Sequence, residues 1–333
     1  MKAQALKSGT QSPSRAFTVV PVRHLSSVSR RLLTVHELVD AYMAAYSGND
    51  RARPQTLHRW CAYLDGLNAA EVDADHIADA LEHWSQQPVR RFMGKDDAGE
   101  PIYKDVGLPA PATINRAKAV LSAVFSWAQQ KRLMPKGWQN PCRAVAAREA
   151  DNARTRFLTA AERKRLLAIT KVSTWPRLYL LVLMALTTGA RRGELLSIAY
   201  RDIDMEAGTA HLHDTKNGDE RVLVLVPAVA AEIKRLGKAP HPEALLFHRI
   251  GHWDRPFHPE RAWKIALTEA NIPDFRFHDL RHSCASYLAQ QGGSLLEIAD
   301  VLGHRGLEMV QRYAHLCTDS KARLVNRVLG DMQ

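Results

Sequence analysis

Arg191, Lys216, His278, Arg281, His304 and Tyr313 follow one another in the second half of this chain. Their local contexts are Thr188-Gly-Ala-Arg-Arg-Gly-Glu194, Thr215-Lys-Asn-Gly218, His278-Asp-Leu-Arg-His282 and Leu302-Gly-His304, with Tyr313 nine residues beyond His304. Arginine suits phosphate because its planar fork donates two parallel hydrogen bonds and keeps its charge. Lysine can hand a proton to a leaving oxygen, and a tyrosine hydroxyl can attack phosphorus once its proton is gone. The set therefore holds what metal-free cleavage of a phosphodiester requires: charge on the non-bridging oxygens, a proton donor and a nucleophile.

Each residue also has an ordinary reading. Arg191 and Glu194 could form a surface ion pair, since three-residue spacing puts them on one helical face. A lysine beside a hairpin turn is usually solvated, a histidine on an apolar face usually sits in a core, and Tyr200 and Tyr287 compete with Tyr313. His278 and His282 have i,i+4 spacing, as do His248 and His252, and His211/His213 form a nearer pair, so zinc is a further reading. The chain lacks H-E-x-x-H, and Arg281 between two of those histidines would repel a cation. No metal and no cofactor are expected.

Taken together, the four contexts resemble those of the tyrosine recombinase (phage integrase) family, over about residues 157–317. The resemblance implies that Arg191 and Arg281 bind the scissile phosphate. It makes Lys216 the general acid, places His278 near the attacking tyrosine, has His304 donate to a phosphate oxygen, and names Tyr313 as the nucleophile. Glu194 supports its neighbours. The implied reaction is site-specific recombination or integration of DNA through a 3′-phosphotyrosyl bond and a Holliday junction, without metal or ATP. A homotetramer on two duplexes, with accessory DNA-bending proteins as optional partners, belongs to the same expectation. A type IB topoisomerase, a telomere resolvase and an inactive DNA-binding paralogue are the alternatives. The Leu-Gly-His…Tyr spacing favours the recombinase, and no signature position is missing.

Composition is consistent with a polyanionic partner. The chain has 333 residues and a formal charge of +11, with a pI near 9.6, and is long enough for two ordinary domains. Cys61, Cys142, Cys284 and Cys317 are scattered and form no C-x-x-C pair, so reduced thiols in a cytoplasmic protein are expected. The longest apolar run, Leu178 to Leu186, falls far short of the ~20 residues of a membrane span. The first thirty residues show no secretory signal.

The elements that must position these residues are mostly helices. Residues 1–33 carry six Lys or Arg and no acid, which predicts a mobile basic arm with a short strand at 17–22. Capping boxes at Thr34/Glu37, Thr159/Glu162 and Ser294/Glu297 mark helix starts. Helices are expected at 34–46, 53–67, 74–86 and 112–131, with a hairpin insertion at 90–108 around Asp96-Asp-Ala-Gly99. A linker at 144–156 follows Asn140-Pro141. Beyond it come helices at 160–170 and 176–187 and one from Arg192, then a β-hairpin of 209–213 and 221–226 turning at Asn217-Gly218. Helices near 259–270, 279–291, 295–302, 306–313 and 319–329 complete the pattern. The fold class expected is mainly α with a small antiparallel β-sheet, arranged as a two-domain DNA clamp. Its parts would be an α-helical core-binding (SAM-like) domain at 34–143 and an α+β catalytic domain at 157–333, the last helix reaching a neighbouring protomer.

Overall fold

The computed structural model describes residues 32–150, 156–213, 220–241, 243–304, 306–317, 325–326 and 329–330. The basic arm with its strand at 17–22, Lys216, and most of 319–329 lie outside the described residues. The chain divides into two compact units, Met1–Asn152 and Ala153–Gln333. Among the described residues no helix is long and apolar enough to cross a membrane.

The first unit packs four helices, α1 (Val35–Ala45), α2 (Arg53–Tyr63), α3 (Ala74–Ser85) and α4 (Pro111–Gln130). Thr34 and Glu37 form the expected capping box, and Asp73 with His76 forms another at α3. Periodic apolar positions such as Leu38, Trp60, Ile77, Leu121 and Phe125 close into one core. Trp60 also donates its indole N–H to the Ala117 carbonyl at 2.9 Å. Between α3 and α4 stands an antiparallel hairpin, β1 (Arg90–Lys95) and β2 (Pro101–Asp105). The Asp96 carboxylate closes its turn by accepting from the N–H groups of Ala98 and Glu100. After α4, Asn140 caps the short 3₁₀ turn Pro141–Arg143.

The second unit is built on α6 (Leu178–Thr188), buried on nearly every side, as an all-apolar helix must be. Around it lie α5 (Ala160–Lys171), α7 (Arg192–Ser197), α8 (Pro227–Leu236), α9 (Glu260–Glu269), α10 (Asp279–Gln290) and α11 (Leu295–Leu302). A three-stranded antiparallel sheet runs β3 (Ile203–Asp204), β4 (Thr209–Leu212), β5 (Arg221–Val224), with Leu212 opposite Arg221. A further hairpin joins β6 (His248–Arg249) to β7 (His252–Pro256).

The sequence pattern misses α8, β3 and the β6–β7 hairpin. It also expects an α-helix at 306–313, where the chain forms two 3₁₀ segments, Leu307–Met309 and Gln311–Cys317. Val310, Tyr313 and Cys317 recur at helical spacing, but the chain enters from an extended Gly306 and takes the tighter i→i+3 turn instead.

α6 ends at Gly189 in the left-handed conformation, φ 61°. A Cβ there would overlap the Leu302 side chain and press on Cys284. Gly189 thus lets the end of α6 meet α10 and α11 closely. Gly189→Ala should lower the unfolding free energy by about 1 kcal/mol or more, from strain at positive φ alone. Denaturant melts of the two proteins test this; equal midpoints would mean the approach is not tight.

Candidate active site

Four segments converge beside that glycine. In the first, the Thr188 hydroxyl donates to the Met184 carbonyl at 2.6 Å and accepts from the Ala190 N–H at 3.2 Å. This side-chain turn, with Gly189, takes the chain out of α6 and makes Arg191 the N-cap residue of α7. The Glu194 carboxylate then accepts from the Arg191 backbone N–H at 2.8 Å and from its guanidinium at 2.6 Å. Glu194 is buried at 5 % exposure, so the pair is no surface ion pair. Arg192, the neighbour most easily confused with Arg191, instead pairs with exposed Glu260 at 2.9 Å.

In the second segment His278 is the N-cap of α10 and Arg281 lies one turn in. Arg281 is 4 % exposed. One of its amino groups donates to the Gly189 carbonyl at 2.7 Å, while the other, Nη2, is buried with no partner among the described residues. Burial, then the charges of Arg191 and Arg221, lower its pKa to about 10. The third segment is the end of α11, where Gly303 is a left-handed cap and the His304 N–H returns to the Ala299 carbonyl at 2.9 Å. That places His304 just past the helix with Nδ1 buried and unpartnered. Burial and then Arg281, Arg191 and Arg221 push its pKa down to about 4. His278 is lowered too, first by burial and then by Arg281.

The fourth segment carries Tyr313, 5 % exposed among Ala285, Ile298, Leu302 and Val310. Its hydroxyl lies 2.5 Å from Nδ1 of His282, with the direction of donation set by the histidine tautomer. Sequence reasoning placed His278 beside the tyrosine; in the structure the contacting ring is that of His282, and the His278 ring meets His282 edge-on at 5.4 Å. Burial raises the Tyr313 pKa to about 12 against the lowering pull of Arg312 and Arg281. Positive neighbours therefore favour the phenolate in sign, but burial outweighs them. Burial likewise takes His282 down to about 4.

Arg221 was missed altogether. It opens β5, five residues beyond Lys216 in the chain, and burial lowers its pKa. Its guanidinium donates to the Leu302 carbonyl and, at 3.5 Å, to the Thr188 carbonyl, and it stands 4.0 Å from Glu194. One arginine thus ties the lysine-bearing hairpin to the segments of Arg191 and His304. Its only sequence signal is its place at the foot of the hairpin. The competing tyrosines have structural partners: Tyr287 donates to the Leu158 carbonyl at 2.9 Å, and Tyr200 accepts from Arg177 at 3.0 Å. Of the other histidine pairs, His213 lies 3.3 Å from Asp202, and His248 contacts Arg177 at 3.0 Å.

The arrangement is a buried positive cluster with unpaired donors, a partly neutralising carboxylate and an adjacent phenol. The model of the phage integrase family matches residues 156–319. The shufflon-specific DNA recombinase of Escherichia coli is 31% identical over 291 residues, covering 86% of this chain and 70% of that protein. The chain belongs to the phage integrase family of tyrosine recombinases. The integrase of Haemophilus phage HP1 is 28% identical, covering 94% of this chain and 86% of its own. In fold, the chain is similar to the Tn1549 transposon integrase in complex with a circular intermediate DNA. That likeness has a TM-score of 0.66 at 17% identity and covers 89% of this chain and 99% of the other.

Two predictions come from this geometry. Arg221→Met should leave DNA affinity within a few-fold of the parent yet slow single-turnover cleavage by roughly 10²-fold, the usual cost of a misplaced reacting group; parallel losses would make Arg221 a plain anchor. The second concerns pH. His282 and His304 titrate near 4 in the folded chain and near about 6.5 when unfolded. Between those values the unfolded state holds more protons, so their stabilising effect is complete above about pH 6.5 and is lost as pH falls toward 4. Melting temperature should decline across that window, less steeply in His282→Asn; an unchanged slope in the variant would contradict the assignment.

Proposed function

We propose that this recombinase cleaves and rejoins duplex DNA at specific sites with Tyr313 as nucleophile. The single observation that carries the reading is the buried Arg281 near Arg191, whose Nη2, like Nδ1 of His304, has no partner among the described residues. Buried donors ordinarily find acceptors, and a phosphate bearing two non-bridging oxygens is the acceptor this cluster suits. Arg191, oriented by Glu194, and Arg281 hold those oxygens and gain most as charge builds on phosphorus. His304 donates to one of them, and His278 assists proton movement near the tyrosine.

Tyr313 passes its proton to the adjacent histidine pair, whose His282 Nδ1 lies 2.5 Å from its hydroxyl and whose His278 ring stands against His282, and its oxygen bonds to phosphorus. The bond to the 5′-oxygen breaks, and that oxygen takes a proton from Lys216 to leave as a 5′-hydroxyl. The product is a 3′-phosphotyrosyl ester. Reversal with a different 5′-hydroxyl joins new partners, so no ATP is consumed and no metal is asked for. Exchange of both strands needs two duplexes, four protomers and a Holliday junction. The 34–143 region and the 157–333 region, joined by the 144–156 linker, would each bind the same duplex. The C-terminal stretch 319–329 would reach the next protomer. The setting is the cytoplasm, in association with the nucleoid, with accessory DNA-bending proteins as optional partners.

Tyr313→Phe should bind nicked suicide substrates normally and yield no covalent protein–DNA band. A band of parental intensity would remove Tyr313 from the reaction. Lys216→Ala should regain most of its lost rate when the bridging 5′-oxygen is sulfur, a leaving group that needs little proton assistance. An equal defect on both substrates would give the proton to another group.

A further inference from the structure

The two faces of the β1–β2 hairpin differ in a way that points to a ligand. The cross-strand pairs are Arg90↔Asp105, Arg91↔Lys104, Phe92↔Tyr103 and Gly94↔Ile102, with a bulge between Phe92 and Gly94. Side chains alternate between faces along a strand, and directly opposed residues share one. Arg90, Asp105, Phe92 and Tyr103 therefore lie together. That face is internally matched: Arg90 opposes an acid and lies 4.9 Å over the Tyr103 ring, and the two aromatic rings meet edge-on at 5.9 Å.

The other face is not matched. Arg91 and Lys104 stand directly opposite one another, an arrangement that destabilises a strand pair unless something negative lies over it. Ile102 shares this face and is 46 % exposed, and Met93, the extra residue of the bulge between Phe92 and Gly94, is 58 % exposed beside it. Nearly every residue of both strands is solvent-exposed, whereas a lone two-stranded ribbon is marginal unless it packs on something. Exposed apolar residues flanking paired cations mark an interaction surface.

We infer that the Arg91/Lys104 face of the hairpin lies on the sugar-phosphate backbone of the duplex this recombinase cuts, supplementing the contacts of the surrounding helices. The inference rests on the DNA-cleaving reading above and adds a specific surface to it. A two-stranded ribbon has the width of the major groove, and the cation pair can bridge phosphates at its edge while Met93 and Ile102 meet sugar and base-methyl surface. A second copy of the chain is a poorer occupant, since each copy carries +11 and an opposed cation pair seeks a negative surface. The acidic turn residues Asp96, Asp97 and Glu100 turn the tip away from phosphate, so the strands lie along the duplex rather than driving the tip into it.

The test is the salt dependence of binding to one duplex site by the full-length chain and by Arg91→Gln/Lys104→Gln. Each phosphate contact contributes about 0.9 to the slope of log affinity against log salt. The double variant should lose roughly 1.8 of that slope, with melting temperature unchanged or raised because the like-charge pair is gone. Arg90→Gln, on the matched face, should keep the parental slope. An intact slope in the double variant, an equal loss in Arg90→Gln, or a loss only of cooperative filling of adjacent sites would each overturn the assignment, the last in favour of contacts between copies. A variant with residues 90–105 replaced by a short glycine-serine turn must show the same reduced slope. The covalent adduct of the parent on suicide substrates separates the two readings. A parent that binds no DNA defeats both, while a parent that forms adduct beside a double variant of unchanged slope defeats this one alone.

Discussion

Arg281 occupies an interior position that a cation accepts only under constraint. One side of its guanidinium is fixed on the Gly189 carbonyl and the other faces no protein acceptor. Two more arginines, Arg191 and Arg221, are close enough to lower its pKa further. Burying a charge without full pairing is costly, and here Glu194 is the buried carboxylate that offsets part of it. Much of the second unit serves this constraint. The all-apolar α6 fixes the position of Gly189, the left-handed caps at Gly189 and Gly303 let three helix ends meet, and Arg221 ties their carbonyls together. In the proposed function that cost is offset by substrate, because a site short of anionic partners suits a phosphodiester, whose one negative charge is shared by two non-bridging oxygens.

The same burial acts on Tyr313. It pushes the phenol up to about 12 and its hydrogen-bond partner His282 down to about 4, which favours the neutral form of both groups at physiological pH. In the proposed reaction the contact with His282 must open before the Tyr313 oxygen can meet phosphorus.

Spacing made the chemistry legible because the key residues sit at helix boundaries, where local rules are strong. The capping boxes at Thr159 and Ser294, the left-handed glycine before His304, and the three-residue step from His278 to Arg281 are all short-range features. Arg221 and His282 were not legible as site residues, since their roles depend on carbonyls and a hydroxyl brought from distant segments. The 3₁₀ path through 307–317 and the helix after Pro227 were lost for a related reason: short, mixed-polarity stretches take their form from packing. The hairpin at 90–105 was readable from its turn residues, but which face was uncompensated required the strand register.

The central claim is that the unpaired side of Arg281 is reserved for the scissile phosphate. The most direct measurement compares Arg281→Lys with the parent in single-turnover cleavage and in equilibrium binding of the same duplex. Lysine keeps a positive charge but lacks the planar fork that reaches Gly189 and phosphate at once. Cleavage should fall by roughly 10²–10³, as for loss of an oxyanion donor, while affinity changes by only a few-fold. A lysine variant that cleaves at the parental rate, or one whose affinity falls as far as its rate, would contradict it.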